Sequence, residues 1–341
     1  MSPTSLPTRK IGDSDVSAIG FGAMGLSAFY GKAASDAERL GFLDTVYARG
    51  CTFWDTADAY HDNEDLIGKW FKRSGKRNEI FLATKFGFTP DKEKLITGDP
   101  EYVRAAFAKS IARLGVESVD LYYAHRTDVT IPIEKTVAAM AELVKAGKVK
   151  YLGLSECSAN TLRRAHAVHP IAAIQVEYSP FTLDIEDEKI AVLKTARELG
   201  VAIIAYSPLG RGLITGQYKS VDDFEADDFR RVVPRYQNEN FPNILKLADG
   251  LKKVGVKHGA TAGQVAIAWL LAQGPDVIPI PGTRQVKYLD ENLGALKVVL
   301  TPEDLAEVRA LALEADGANK DFPRYPEYMV ATLFPESPAL V

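Results

Sequence analysis

The chain is poor in cysteine. Among 341 residues there are two, Cys51 and Cys157. Neither stands at metal-ligand spacing from another cysteine or a histidine, which argues against a zinc module and against a disulfide scaffold. Both are read as reduced thiols in a cytoplasmic protein. Histidine is also scarce, at five, and no metal site is expected. Long apolar runs are missing: the hydrophobic stretches are strand-sized, so a membrane span is not expected. Residues Met1 to Pro7 carry no apolar core of the signal-peptide kind. Neither sign of charge dominates. The 41 Lys and Arg against 45 Asp and Glu give a formal net charge of −4, with no basic stripe to suit a nucleic acid. Low-complexity segments and interdomain linkers are absent, so residues 1–341 are expected to form one domain.

What is present is a rhythm. Arg9 to Ala18 reads as a small hairpin around Gly12-Asp13. Ile19 to Gly25 is strand-like and then glycine-rich, without the spacing of an open-sheet dinucleotide fingerprint. Ser35 caps a helix to Ala48, and the short strand Cys51–Trp54 follows. Helices are then expected over 63–71, 100–114, 132–145, about 159–168 and 187–199. Strands are expected over 80–84, 118–124, 149–154, 172–176 and 201–205. The connection from Ser207 to Phe241 is long, and loops of that length are usually functional. An extra helix over 243–257 precedes a helix over 261–273, a strand over 277–280 and a helix over 285–293. Eight strand-then-helix units predict a (β/α)8 barrel with a core at about 18–294. An added helix over 302–313 and a tail to Val341, with Phe322, Tyr325, Tyr328 and Phe334, complete the chain over 295–341.

Chemistry-bearing residues recur where these strands end, on the side where such barrels carry their sites. Asp55 closes the second strand, and Tyr60 falls in the loop after it. Lys85 ends the next strand and His125 the one after. Each has an ordinary reading by itself: a turn former, a loop aromatic, a solvated charge, a core imidazole. Together they suit carbonyl reduction, which puts a hydride on carbon and a proton on oxygen. A phenol with a pKa near ~10 is a weak acid at neutral pH, and an ammonium beside it lowers that pKa. A lysine inside a barrel needs a counter-charge, and Asp55 is the obvious one. His125 can donate a hydrogen bond to the carbonyl oxygen.

These residues resemble the aldo-keto reductases over nearly the whole chain, from Gly22-Ala23-Met24-Gly25 to Asn292. The branch containing perakine reductase and fungal pyridoxal reductases is the most similar, through Asp55-Thr56-Ala57-Asp58-Ala59-Tyr60, His125-Arg126-Thr127-Asp128 and Gly153-Leu154-Ser155-Glu156. The resemblance implies a catalytic tetrad of Asp55, Tyr60, Lys85 and His125. It also implies NADPH as the source of hydride for an aldehyde or ketone. Gly22 and Met24 would lie against the cofactor, and Ser155 and Gln175 would bind the nicotinamide carboxamide. Glu156 stands where relatives often have Asn. Tyr206 would stack on the nicotinamide, with Ser207, Pro208, Leu209, Gly210, Arg211 and Gly212 around the pyrophosphate. Gly282, Thr283, Arg284 and Lys287 would meet the 2′-phosphate, and Glu291 and Asn292 the adenine. Many relatives carry Arg at the position of Tyr288, which leaves NADH as the alternative cofactor. Substrate walls are expected from Phe29-Tyr30, residues 86–94, Arg126 to Thr130 and the tail. Two other functions compete: a Schiff-base aldolase using Lys85, and a nucleotide-binding regulatory subunit with weak reductase activity.

Overall fold

The structure is a computed structural model that describes residues 3–89, 91 and 94–340. Pro90, Lys92 and Glu93 of the expected substrate wall lie outside the described residues. A hairpin of β1 (Thr8–Ile11) and β2 (Ser14–Ser17) leads into eight parallel strands. These are β3 (Phe21–Gly22), β4 (Phe53–Asp55), β5 (Phe81–Phe86), β6 (Val119–Ala124), β7 (Val149–Ser155), β8 (Ile171–Glu177), β9 (Ala202–Tyr206) and β10 (Val277–Pro279). They pair in chain order. The first and last meet through Gly20 N–H to Pro279 O at 2.9 Å and Gly22 N–H to Pro281 O at 3.3 Å. The result is the (β/α)8 fold that the alternation predicts.

Helices cover the outside: α1 (Asp36–Ala48), α2 (Asn63–Ser74), α3 (Pro100–Leu114), α4 (Ile133–Lys145), α5 (Ala159–Val168), α6 (Val192–Glu198), α8 (Ala262–Ala272) and α9 (Val286–Gly294). The extra helix α7 (Phe241–His258) precedes α8; α10 (Pro302–Asn319) and the short α11 (Glu327–Val330) follow α9. Their starts are written locally. Ser35 with Glu38, Thr261 with Gln264, and Thr301 with Asp304 form reciprocal capping boxes, which satisfy otherwise orphaned amides. Asp99 caps α3 with Pro100 in its first turn, and Gly115 ends it at φ 62°, a value costly for any residue with a Cβ.

Two of the expected helices differ by more than three residues at one end. The helix expected over 187–199 begins only at Val192. The Asp187 carboxylate accepts the Lys189 N–H at 2.7 Å, and Ala191 turns left-handed at φ 51°, so a turn takes the place of the first helical residues. The helix expected to stop at Leu313 continues to Asn319. Ala312 and Ala315 are buried there, and Asn319 donates to Phe181 O at 3.0 Å and accepts from Asn240 at 2.8 Å. Burial and those bonds outweigh the helix-weakening Gly317. The strand expected over 51–54 runs Phe53–Asp55, and the 207–241 connection contains several short helical turns.

Strand alternation sorts the core into two layers. Inside the barrel lie Phe53, Ala83, Leu121, Tyr123, Ala173, Ala202, Ile204 and Ile278. Ile11 and Val16 of the hairpin join them and so plug one end. Between strands and helices lie Trp54, Leu82, Tyr122, Ile174 and Ile203. Gly153 belongs to this design: a Cβ there would sit 2.4 Å from the Tyr123 ring, so only glycine lets that ring fill the barrel.

Candidate active site

The same period of two places the polar residues. Asp55 continues the inward face of Phe53, Lys85 that of Ala83, and His125 that of Leu121 and Tyr123. Gln175 continues Ala173, and Tyr206 continues Ile204. Asp55, Lys85 and Tyr206 are the last inward positions of their strands, His125 is the next step beyond its strand, and Gln175 is the last but one, before Glu177, so together they roof the apolar core at one end. The strand pairs hold them level: Gly22 lies opposite Asp55, and Ser155 opposite Gln175.

The structure brings Asp55, Tyr60, Lys85 and His125 together. The Lys85 ammonium is fully buried and donates to Asp55 Oδ1, to Thr56 O at 2.8 Å and to Tyr60 Oη at 3.4 Å. Its Nζ lies 5.0 Å from the Tyr60 ring centre. Asp55 Oδ2 accepts from Gln175 Nε2 at 2.8 Å, so both carboxylate oxygens are occupied. The His125 ring meets Tyr60 edge to face at 5.7 Å and Phe88 at 4.8 Å. Its Nδ1 is buried without a hydrogen-bond partner.

Burial dominates the ionisation of this group. It pushes the Tyr60 phenol up, and Lys85 counters without reversing the shift. The expected net lowering of the Tyr60 pKa is therefore corrected: the ammonium pulls in the expected direction, but desolvation is larger. Burial also raises Asp55 against the opposing pull of Lys85. Lys85 itself is held above its ordinary value, because Asp55 and Tyr60 outweigh its burial. Burial, then Lys85 and Arg126, hold His125 well below the usual imidazole range. The result is a neutral imidazole, a protonated phenol and a charged lysine within one apolar chamber.

The residues expected to meet a cofactor fall into three groups. Ser155 Oγ accepts from Arg126 Nη1 at 3.3 Å, and Gln175 is bound to Asp55 as described. Tyr206 and the 207–212 turn follow β9. Ser207 and Arg211 adopt left-handed backbone at φ 49° and 55°, strain that clusters at ligand clamps. The Arg211 guanidinium lies 5.1 Å over Phe229 and 5.2 Å over Tyr325, and its buried Nε has no partner. A half-buried cation whose buried Nε lacks an acceptor fits an anionic group such as a pyrophosphate. Gly22 and Gly282 have a further reason to be glycine. A Cβ on either would come within 2.7 Å of backbone oxygen across the β3–β10 seam, and Met24 sits in the turn Ala23–Leu26 just beyond. Arg284 and Lys287 are exposed and not joined: Arg284 reaches Lys32 O at 3.3 Å, and Lys287 lies over Tyr288. Tyr288 donates to Gln217 at 3.0 Å, linking α9 to the long loop. Glu291 accepts from Thr261 at 2.6 Å, and Asn292 is buried.

One feature of the mouth was missed in the sequence. Arg324, from the tail, is 2% exposed and pairs with Glu156 at 2.8 Å, Glu177 at 3.3 Å and Asp184 at 2.9 Å. Glu156 Oε1 also accepts from Tyr206 Oη at 2.8 Å, and Tyr206 Oη lies 3.1 Å from Tyr325 Oη. The tail backbone bonds here too, Phe334 N–H to Glu156 O at 2.8 Å. Glu156 has φ 51°, a conformation that Asn tolerates better than Glu. The departure from Asn at this position was the available signal, and Arg324 is its physical explanation. Arg126 was expected only as substrate wall, yet it is 6% exposed and stands beside His125. Elsewhere, a groove of about 790 Å³ between α2 and α3, lined by Lys69, Lys72, Arg77 and Arg113, contains none of the tetrad. Among the described residues no group of His, Cys, Asp and Glu could hold a metal ion, and no helix is long and apolar enough to cross a membrane.

Comparison with known proteins follows the same line. A model of the aldo/keto reductase family matches residues 18–313. The aldo-keto reductase str7 of Strobilurus tenacellus is 64% identical over 316 residues, 91% of this chain and 93% of that protein. The NADP(+) aldo-keto reductase yakc of Schizosaccharomyces pombe is 50% identical over 341 residues, 98% of this chain and 99% of that protein. Among solved structures, the glycerol dehydrogenase of Gluconobacter oxydans superposes with a TM-score of 0.79 at 26% identity, covering 98% of both chains.

Proposed function

The chain belongs to the aldo/keto reductase family, and from that premise we propose that it reduces an aldehyde or ketone to the alcohol, with NADPH as cofactor and Tyr60 as proton donor. The observation that carries the reading is the buried Lys85 ammonium shared between Asp55, Thr56 O and Tyr60 Oη.

A bound nicotinamide cofactor supplies the hydride that reaches the carbonyl carbon. The chain does the rest. Tyr60 gives its phenolic proton to the carbonyl oxygen as negative charge develops there, and Lys85 stabilises the phenolate left behind. Asp55 fixes the ammonium, and Gln175 fixes Asp55. His125, held neutral, can donate one N–H to the same carbonyl oxygen and orient it. Ser155, Gln175 and Tyr206 would hold the nicotinamide end, and Arg211 with the 207–212 amides the pyrophosphate. Thr283, Arg284 and Lys287 would meet a 2′-phosphate. Lys85 suits a Schiff-base role poorly, because such a lysine must lose its proton and here its pKa is raised. One domain over 1–341 is part of the same reading, since the tail packs into the barrel mouth through Arg324.

The test is cofactor oxidation with NADPH and with NADH over a panel of aldehydes that includes pyridoxal. Turnover of at least one aldehyde, abolished in Lys85→Met, is expected. A panel with no turnover by the wild type would sink the reading.

A further inference from the structure

Arg126 follows His125 directly, and the proposed mechanism leaves its charge without a task. The guanidinium is 6% exposed. Nη1 donates to its neighbour's carbonyl, His125 O, at 2.8 Å and to Ser155 Oγ at 3.3 Å, while the buried Nε has no partner. Among the described residues no carboxylate lies within ion-pair distance of it. The nearby acid, Glu156, is already used. Its oxygens accept from Arg324, from Tyr206 Oη and from Glu177 N–H. The Phe88 ring, 5.8 Å away, offers only its face.

Other cations at this end differ. Lys85 has Asp55, and Arg324 has three acids. Arg235, also buried and like Arg126 without an ion pair among the described residues, differs in having no idle buried donor, since it donates to Phe322 O and Thr182 Oγ1. Arg211 lies in the turn proposed to hold pyrophosphate. A buried guanidinium with an idle donor is a costly thing to keep, because desolvation is not returned by an ion pair. Its position gives the cost a use. Arg126 donates to the backbone of His125 and to Ser155, and its guanidinium shares the Phe88 ring with the His125 ring, 5.8 and 4.8 Å away, while that imidazole meets Tyr60. It therefore stands beside the space in which a carbonyl must lie. A planar fork of donors there matches a carboxylate or phosphate.

We infer that Arg126 recognises an anionic group on the substrate, so that carbonyl compounds carrying a carboxylate or phosphate are the preferred class. The inference rests on the reductase reading. It is tested with para-carboxybenzaldehyde and its methyl ester, two aldehydes of similar shape that differ by one charge, and with the meta pair. The wild type should favour the acid of at least one pair, mainly through a lower KM. Arg126→Met should lower the acid-to-ester ratio of kcat/KM by about 10- to 100-fold, the worth of a charge-assisted hydrogen bond. Arg126→Lys should keep part of the preference, since the charge remains but the fork is lost. A wild type that reduces the esters as well as the acids overturns the inference whether or not the variants fold. So does an Arg126→Met enzyme that loses equally on acid and ester, which would assign Arg126 to holding His125 and Ser155. Failure of the underlying reading is separate: the wild type would then reduce none of the four aldehydes.

Discussion

Two buried ion clusters stand at the mouth of this barrel, and they are built in opposite ways. In one, Lys85 and Asp55 come from neighbouring strands, and the cation is shared with the phenol proposed as proton donor. In the other, Arg324 comes from the tail and meets three acids that are spent on holding it. The first cluster keeps a titratable group poised. The second fixes a segment and, through Glu156, the hydroxyl of Tyr206. Burial alone therefore does not tell the two cations apart; what else each of them touches does.

Breaking the first cluster should cost chemistry. Lys85→Met is expected to lower kcat by roughly 10³-fold, within the range of general acid–base catalysis. The variant also leaves Asp55 unpaired, so a loss of stability accompanies it. Adding Asp55→Asn should restore the melting temperature and not the turnover. Recovery of both in the double variant would dissolve the distinction between the clusters.

Breaking the second should cost stability first. Arg324→Met strands buried Glu156 and Glu177, and a loss of about 3–5 kcal/mol is expected, read by denaturant unfolding. Limited proteolysis should then cut the tail sooner, while kcat falls far less than in Lys85→Met. A variant as stable as the wild type would mean that Arg324 only fills space.

Asp58 sharpens the contrast, as an acid near the first cluster that forms no ion pair. Its Oδ1 is buried without a partner, and burial, then Glu64, push its pKa up to about 7. The native state thus binds more protons than the unfolded chain between about pH 4 and pH 7, where an unperturbed carboxyl has already ionised. Stability contributed by this group is present at low pH and lost as pH rises through that window. Asp58→Asn should remove the loss, with a gain on the order of 2 kcal/mol that grows to pH 7 and is flat above it. A constant gain from pH 4 to pH 8 would assign the effect to something other than titration.

The smallest effect is expected outside both clusters. Arg284 is exposed and spends one weak bond on Lys32 O. Arg284→Ala should raise the NADPH dissociation constant by roughly ten-fold, about 1.4 kcal/mol, and leave NADH nearly unchanged. Fluorescence titration of both cofactors decides it. Equal losses would move Arg284 from the 2′-phosphate to the fold.

How much of this could be read in the sequence follows from how each part is made. The barrel was legible because each unit is local: a strand of period two, a cap, a helix. That Asp55, Lys85 and His125 would meet was legible because they stand at the ends of successive strands, and the resemblance added Tyr60 to them. Arg324 was not, since it acts 168 residues away from Glu156 and no pattern along the chain couples them. The clue was indirect, a Glu at a position where relatives often have Asn. Helix ends failed where side chains settled the matter. Asp187 captured an amide ahead of α6, and Asn319 held α10 together past a glycine. The direction of the Tyr60 shift failed for a related reason: the charge beside it was visible in the sequence, and the depth of its burial was not.

The most direct measurement is single-turnover reduction by Tyr60→Phe at saturating NADPH, with cofactor affinity measured on the same preparation. The phenyl ring still fills the chamber, and the proton alone is removed. The account predicts that the rate falls by roughly 10²- to 10⁴-fold while the NADPH dissociation constant stays within about two-fold of the wild type. A Phe variant that reduces its aldehyde at the wild-type rate would contradict it, because the proton would then come from another group.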